Sequence, residues 1–235
     1  MFHLDNRLLL EKIHGKLIVS CQALKDEPLH SSKIMGKMAL AAQQGGASGI
    51  RANSVEDIIE IRKNIDLPII GIIKANYSDS KIYITPTMTE IRALVDSPAE
   101  IIAMDATERK RPAGSSLQEM LEYVKKSGKL AMADISTLEE GVNAQRLGFN
   151  LVSTTLSGYV GKQAQGSDKP DFELIRQLKD LVRIPVIAEG RIKTPQELVK
   201  AIQCGAYCAV IGSIITRPQI ITRYFASALE KMEKQ

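Results

Sequence analysis

The sequence predicts a closed (β/α)8 barrel, the TIM-barrel architecture, preceded by a short N-terminal helix. Three observations carry that expectation. Eight short runs recur along the chain, each too short for a helix and nearly continuous in apolar character, as strands covered on both faces must be. Amphipathic stretches with helical spacing separate them, so β and α alternate from one end to the other. The 235 residues come close to the roughly 250 that eight such units need. An open doubly wound sheet is the alternative, but it requires edge strands with one poorly covered side, and none of the eight runs reads that way. No G-x-G-x-x-G follows the first run.

The runs fall at 17–21 (LIVSC), 48–51 (SGIR), 69–74 (IIGIIK), 101–105 (IIAMD), 130–135 (LAMADI), 151–155 (LVSTT), 186–189 (VIAE) and 208–212 (CAVIG). Helical patterns follow them, among others SVEDIIEIRKNI after Asn53, SLQEMLEYVKKSG after Ser115 and TPQELVKAIQCG after Lys193. Thr194 places a capping hydroxyl ahead of Pro195 at the first helical position, and Gly205 closes the same helix. Ser115, Ser116 and Thr137 offer other starts, and Gly128 and Gly148 other stops. Pro68 and Pro185 stand just before strands, where a missing N–H is tolerated. Residues 1–14 are expected as the N-terminal helix and 16–235 as the barrel. Nothing between units reads as a linker, so 1–235 is expected to be one domain.

Composition narrows the function. The net charge of +4, from 31 Lys+Arg against 27 Asp+Glu, is spread evenly, and there is no Trp. So mild a charge does not argue for a nucleic-acid partner, and the scarcity of aromatic residues weakens a base-stacking reading. No apolar run approaches the ~18 residues of a membrane span, and the charged N-terminus does not read as a signal peptide, so a cytoplasmic protein with no membrane partner is expected. Cys21, Cys204 and Cys208 are odd in number, and no His stands near to complete a zinc site. His3, His14 and His30 lie outside every strand run. Asp105 and Asp134 alone would hold magnesium weakly, so metal-free chemistry is expected.

In a barrel, the C-terminal strand ends form the active-site face. Read in order they carry Ser20 and Gln22, Arg51, Lys74, Asp105, Asp134, Thr154 and Thr155, Glu189, and Gly212 with Ser213. All are expected to converge on one mouth. Five charged strand ends are hard to explain as packing, because buried charges cost several kcal/mol unless paired. The loops after runs seven and eight, with Gly190 and Gly212, suit close backbone approach to a phosphate, and Arg217 can add a guanidinium fork. Lys74 and Glu189 stand on opposite sides of an eight-strand ring, placed for proton transfer on two faces of one carbon. Burial and Arg51 push the lysine pKa down, while Glu189 or Asp134 pushes it up; the sequence leaves the balance open. A plain anion ligand is the other reading of Lys74.

At these residues the chain resembles the N-acetylmannosamine-6-phosphate 2-epimerase family of bacterial sialic-acid catabolism. The resemblance rests on GKLIVSCQALKDEPLHSS (15–32), GASGIRANSVEDI (46–58), LPIIGIIKANY (67–77), YITPTMTEI (83–91), IIAMDAT (101–107), MADISTLEEG (132–141), STTLSGY (153–159), PVIAEGRIKTP (185–195) and VIGSIITRPQIIT (210–222). It implies a (β/α)8 barrel that interconverts N-acetylmannosamine 6-phosphate and N-acetylglucosamine 6-phosphate without a cofactor. It implies Lys74 and Glu189 as the catalytic pair. By the same resemblance Gln22, Arg51, Asp134 and Arg217 surround the sugar and phosphate, while Thr155, Gly190, Gly212 and Ser213 are expected to bind substrate from their places at the mouth. It also implies a homodimer through the last helix, here about 218–229. Lys74-Ala75-Asn76-Tyr77 departs from a more charged family stretch, and Ser213 stands where a second glycine is usual. Two rivals are a Schiff-base aldolase, which in barrels of the familiar class carries its lysine on strand six, and a non-catalytic phosphosugar-binding protein.

Overall fold

A computed structural model describes residues 6–160 and 168–232. Its eight parallel strands pair in sequence order, and the first pairs with the last, so the sheet closes on itself. The chain opens with helix α1 (Asn6–Ile13), then β1 (Leu17–Cys21), α2 (Ser32–Gln44), β2 (Gly49–Asn53) and α3 (Val55–Asn64). It continues with β3 (Ile69–Ile72), α4 (Met88–Val95), β4 (Ile101–Asp105), α5 (Leu117–Lys126), β5 (Leu130–Asp134) and α6 (Leu138–Leu147). The last part is β6 (Leu151–Ser153), α7 (Phe172–Leu181), β7 (Val186–Glu189), α8 (Pro195–Gln203), β8 (Cys208–Ile211), α9 (Ser213–Thr216) and α10 (Pro218–Met232). Residues 1–5 of the expected N-terminal helix, with His3, lie outside the described residues.

The helix starts follow the local chemistry. Thr87, Thr137 and Thr194 each begin a helix with a reciprocal capping box, closed by Glu90, Glu140 and Glu197. Ser116, not Ser115, caps α5 by accepting from the Glu119 N–H. Gly148 ends α6 in the left-handed region at φ 99°, which only glycine enters without strain.

Strand alternation decides what faces the barrel axis. Ile18, Ile70, Ile72, Ile101, Leu130, Met132, Leu151, Ile187, Cys208 and Val210 fill the interior, joined from below by Leu9 and Ile13 of α1. The intervening residues, such as Val19, Ile50, Ile69, Ile102 and Ala131, pack outward against the helices. Gly71 sits on that outer face because a Cβ there would meet Ala99 Cβ at 2.9 Å.

Several strand limits differ from the sequence reading. β2 runs on to Asn53, while β6 stops at Ser153. β3 ends at Ile72, two residues before Lys74. Beyond it the chain leaves the ring and runs antiparallel to a later stretch, with the Ala75 N–H donating to the Tyr83 carbonyl at 3.0 Å and that of Thr85 to the Ile73 carbonyl at 2.7 Å. Lys74 faces Ile84 across this ladder.

Candidate active site

Continuing the inward alternation past each strand brings polar residues together at the C-terminal mouth. A cavity of about 690 Å³ opens there. Gln22, Arg51, Lys74, Thr155, Glu189, Gly190, Gly212, Ser213 and Arg217 all line it. Three expected members of the mouth, Asp105, Asp134 and Thr154, do not. Asp105 is wholly buried and bonded within its own loop, accepting from the Thr107 N–H at 3.0 Å and hydroxyl at 2.7 Å and pairing with Arg109. Asp134, also wholly buried, lies beneath the floor and holds Arg51. Its partner is that guanidinium and not Lys74.

Arg51 is the centre of the arrangement. It reaches from β2 to β5 and β7, with Nη2 donating to Asp134 Oδ2 at 2.5 Å and Nη1 to Asp134 Oδ1 at 3.1 Å and Glu189 Oε2 at 2.6 Å. The Thr155 hydroxyl donates to Asp134 Oδ1 at 2.8 Å and lies 3.1 Å from Glu189 Oε2. Arg51 is 1% exposed. A charge so enclosed persists only because two carboxylates satisfy it. Burial lowers its pKa, but Asp134 and Glu189 together reverse this and hold it above its ordinary value.

Around that pair, Glu189 and Lys74 depart from ordinary values in opposite senses. Burial raises the Glu189 carboxyl and Asp134 adds to the rise, while Arg51, the Thr155 bond and Lys74 pull back without cancelling it. Burial lowers Lys74 to about 8, helped by the cations Arg51 and Arg217 against Glu189 and Glu27. The Lys74 backbone is fixed by its N–H donating to Asn53 Oδ1 at 2.8 Å. Thr154 clamps the Glu189 backbone, accepting from its N–H at 3.1 Å and donating to its carbonyl at 2.9 Å.

At the other end of the cavity the backbone turns sharply. Gly190 has φ 111° and Arg191, unusually for a non-glycine, φ 58°. Arg191 stacks over Tyr159 at 5.1 Å and donates from Nε to the Lys169 carbonyl at 2.8 Å. Gly212 packs tightly under Ser20, where a Cβ would come within 3.2 Å of the serine's own. Arg217 completes the rim, and Gln22 donates to Ser20 Oγ at 2.7 Å. Tyr83, Tyr159 and Tyr224 also line the cavity, although none stands at a strand end. Among the described residues no group of three or more His, Cys, Asp and Glu side chains is placed to hold a metal ion, and the three cysteines are free.

A closed barrel with its ionisable residues gathered at the C-terminal mouth is the layout of a (β/α)8 enzyme. Comparison with known proteins gives the family. Residues 35–231 match NanE, described as putative N-acetylmannosamine-6-phosphate epimerase, and the chain belongs to that family. A putative N-acetylmannosamine-6-phosphate 2-epimerase of Clostridium perfringens (strain SM101 / Type A) is 58% identical over 222 residues, covering 94% of this chain and all of the relative. One from Clostridioides difficile (strain 630) is 54% identical over 222 residues, covering 94% of this chain and 99% of the relative. A solved structure of the Clostridium perfringens N-acetylmannosamine-6-phosphate 2-epimerase superposes with TM-score 0.93 at 56% identity, over 97% of this chain and 99% of that one. A geranylgeranylglyceryl phosphate synthase from Thermoplasma acidophilum, at TM-score 0.58 and 20% identity over 92% of this chain and 93% of that one, shares the fold alone. No helix among the described residues is long and apolar enough to cross a membrane.

Proposed function

We propose that the protein interconverts N-acetylmannosamine 6-phosphate and N-acetylglucosamine 6-phosphate, with Lys74 and Glu189 as the proton-transfer pair. The observation that carries the pair is their placement on one cavity with pKa values drawn toward each other, the lysine down and the carboxyl up. C2 of the closed sugar ring is not acidic. Ring opening exposes an aldehyde at C1, and the C2–H bond then breaks with its proton passing to the base and its electrons to an enolate. A proton delivered to the opposite face of C2 gives the epimer. The protons removed and returned balance, so the reaction needs no cofactor.

The other lining residues take supporting roles in this reading. Arg51, which donates to Glu189 Oε2 at 2.6 Å, stabilises the enolate oxygen. Asp134 holds Arg51 in place. Gln22 and Thr155 bind the sugar, and Gly190, Gly212, Ser213 and Arg217 bind the phosphate. Residues 1–235 work as one cytoplasmic barrel domain, with neither nucleic acid nor membrane as partner. The chain pairs as a homodimer through α10, a reading supported by Phe225, Leu229 and Met232, which recur at helical spacing and are each about two-thirds exposed.

Proton NMR of the protein with N-acetylmannosamine 6-phosphate in D₂O tests the reaction. N-acetylglucosamine 6-phosphate carrying deuterium at C2 is the expected product. A folded protein that leaves the substrate unchanged overturns the assignment. Sedimentation of a Phe225→Asp variant tests the dimer, which the charge is expected to dissociate.

A further inference from the structure

One carboxylate behind the cavity wall has no part in the mechanism above. Glu27 belongs to the loop between β1 and α2 and does not line the cavity. Its oxygens accept from Arg217 Nε at 2.8 Å and Nη2 at 3.0 Å, from the Leu24 N–H at 2.7 Å and from Gln219 Nε2 at 3.1 Å. A turn fixes Glu27 itself, its N–H donating to the Leu24 carbonyl at 2.9 Å. The two-point contact sets the plane of the Arg217 guanidinium as well as its position. The remaining nitrogen, Nη1, donates to Ser213 Oγ at 3.3 Å.

Arg217 stands at the junction of α9 and α10, on the cavity rim, with its side chain 22% exposed. We propose that Glu27 is the positioning residue of the phosphate-binding end. It holds Arg217 in the one orientation that turns guanidinium N–H groups toward the phosphate, and it ties the β1–α2 loop to the α9–α10 junction. Because Glu27 stands behind Arg217, the guanidinium separates the two anions. This rests on the reading of Arg217 as a phosphate ligand.

The test compares Glu27→Gln, Arg217→Ala and the double variant, using kcat and KM for N-acetylmannosamine 6-phosphate and inhibition by inorganic phosphate. Charge-assisted hydrogen bonds of this kind correspond to about 10- to 100-fold in binding. Glu27→Gln is expected to raise KM by about that factor, to weaken phosphate inhibition in parallel and to leave the larger effect on KM and not on kcat. On the Arg217→Ala background it is expected to add nothing. If Arg217→Ala weakens phosphate binding and Glu27→Gln does not, the role of Glu27 falls while that of Arg217 stands. A loss of kcat and of melting temperature in Glu27→Gln, with phosphate inhibition unchanged, makes the contact structural and overturns the proposal. If Arg217→Ala leaves phosphate inhibition intact, the reading of Arg217 itself is wrong, and the proposal goes with it.

Discussion

Replacing Asp134 by Asn removes a buried negative charge and hardly changes the volume. Arg51, 1% exposed, is then left with Glu189 as its one carboxylate partner, and Nη2 loses its 2.5 Å charge-assisted bond. Breaking one side of a buried ion pair costs about 3–5 kcal/mol, because the surviving charge cannot reach water. For a chain of this length, each kcal/mol corresponds to about 2–4 °C in Tm, so a fall of roughly 6–20 °C is expected. Asp134 also helps to raise the Glu189 carboxyl, so activity should fall with stability. Thermal and urea unfolding measure the first effect, and an epimerisation assay the second. A companion Arg51→Met/Asp134→Leu/Glu189→Gln variant removes all three charges of the cluster while keeping the interior filled, and should recover most of the lost Tm with activity lost. An Asp134→Asn protein melting within about 2 °C of wild type, less than 1 kcal/mol, would refute the view of Asp134 as the counter-charge that keeps Arg51 buried.

The remaining predictions concern the chemistry and the frame. Lys74→Ala and Glu189→Gln should each lower turnover by about 10²–10⁴-fold with folding intact by circular dichroism. With Lys74 as base, its ammonium must first lose a proton, so kcat/KM should rise as pH passes through about 8. Removing a nearby cation in Arg217→Gln should move that midpoint upward, which a pH–rate profile reads directly. In Gly141→Ala on α6, the new Cβ would lie 2.3 Å from Leu178 Cδ2 of α7, so denaturant unfolding should show a loss of about 1–3 kcal/mol with kcat unchanged.

Much of the architecture was legible because the strands of a closed barrel are buried on both faces and read as continuous apolar runs. The threonine–glutamate capping pairs are equally local. Lys74 shows where such reading stops. In IIGIIK the apolar character continues past Ile72, so nothing in the run marks the point where the chain leaves the ring for an antiparallel ladder. Asp105 and Asp134 end their strands in the same way and sit side by side in register. What separates them is their partners. Arg109, four residues on, claims Asp105, whereas Arg51, from another strand, claims Asp134. Glu27 and Tyr83 carry no strand-end signal, because each reaches the site from a loop. The balance at Lys74 depends on how deeply it is buried, and only the folded chain sets that.

Leu9 and Ile13, packed into the base of the barrel, make the interior a blind well. Substrate enters and product leaves by the same mouth, so one must vacate before the other can dock. In the proposed reaction the two sugars differ only in the arrangement about C2, and a grip on the phosphate holds both alike. Such an enzyme is a turnstile without a ratchet. The direction of traffic through it is set by how the ratio of the two sugars outside compares with their equilibrium ratio, and accumulating product slows the forward passage simply by standing in the doorway.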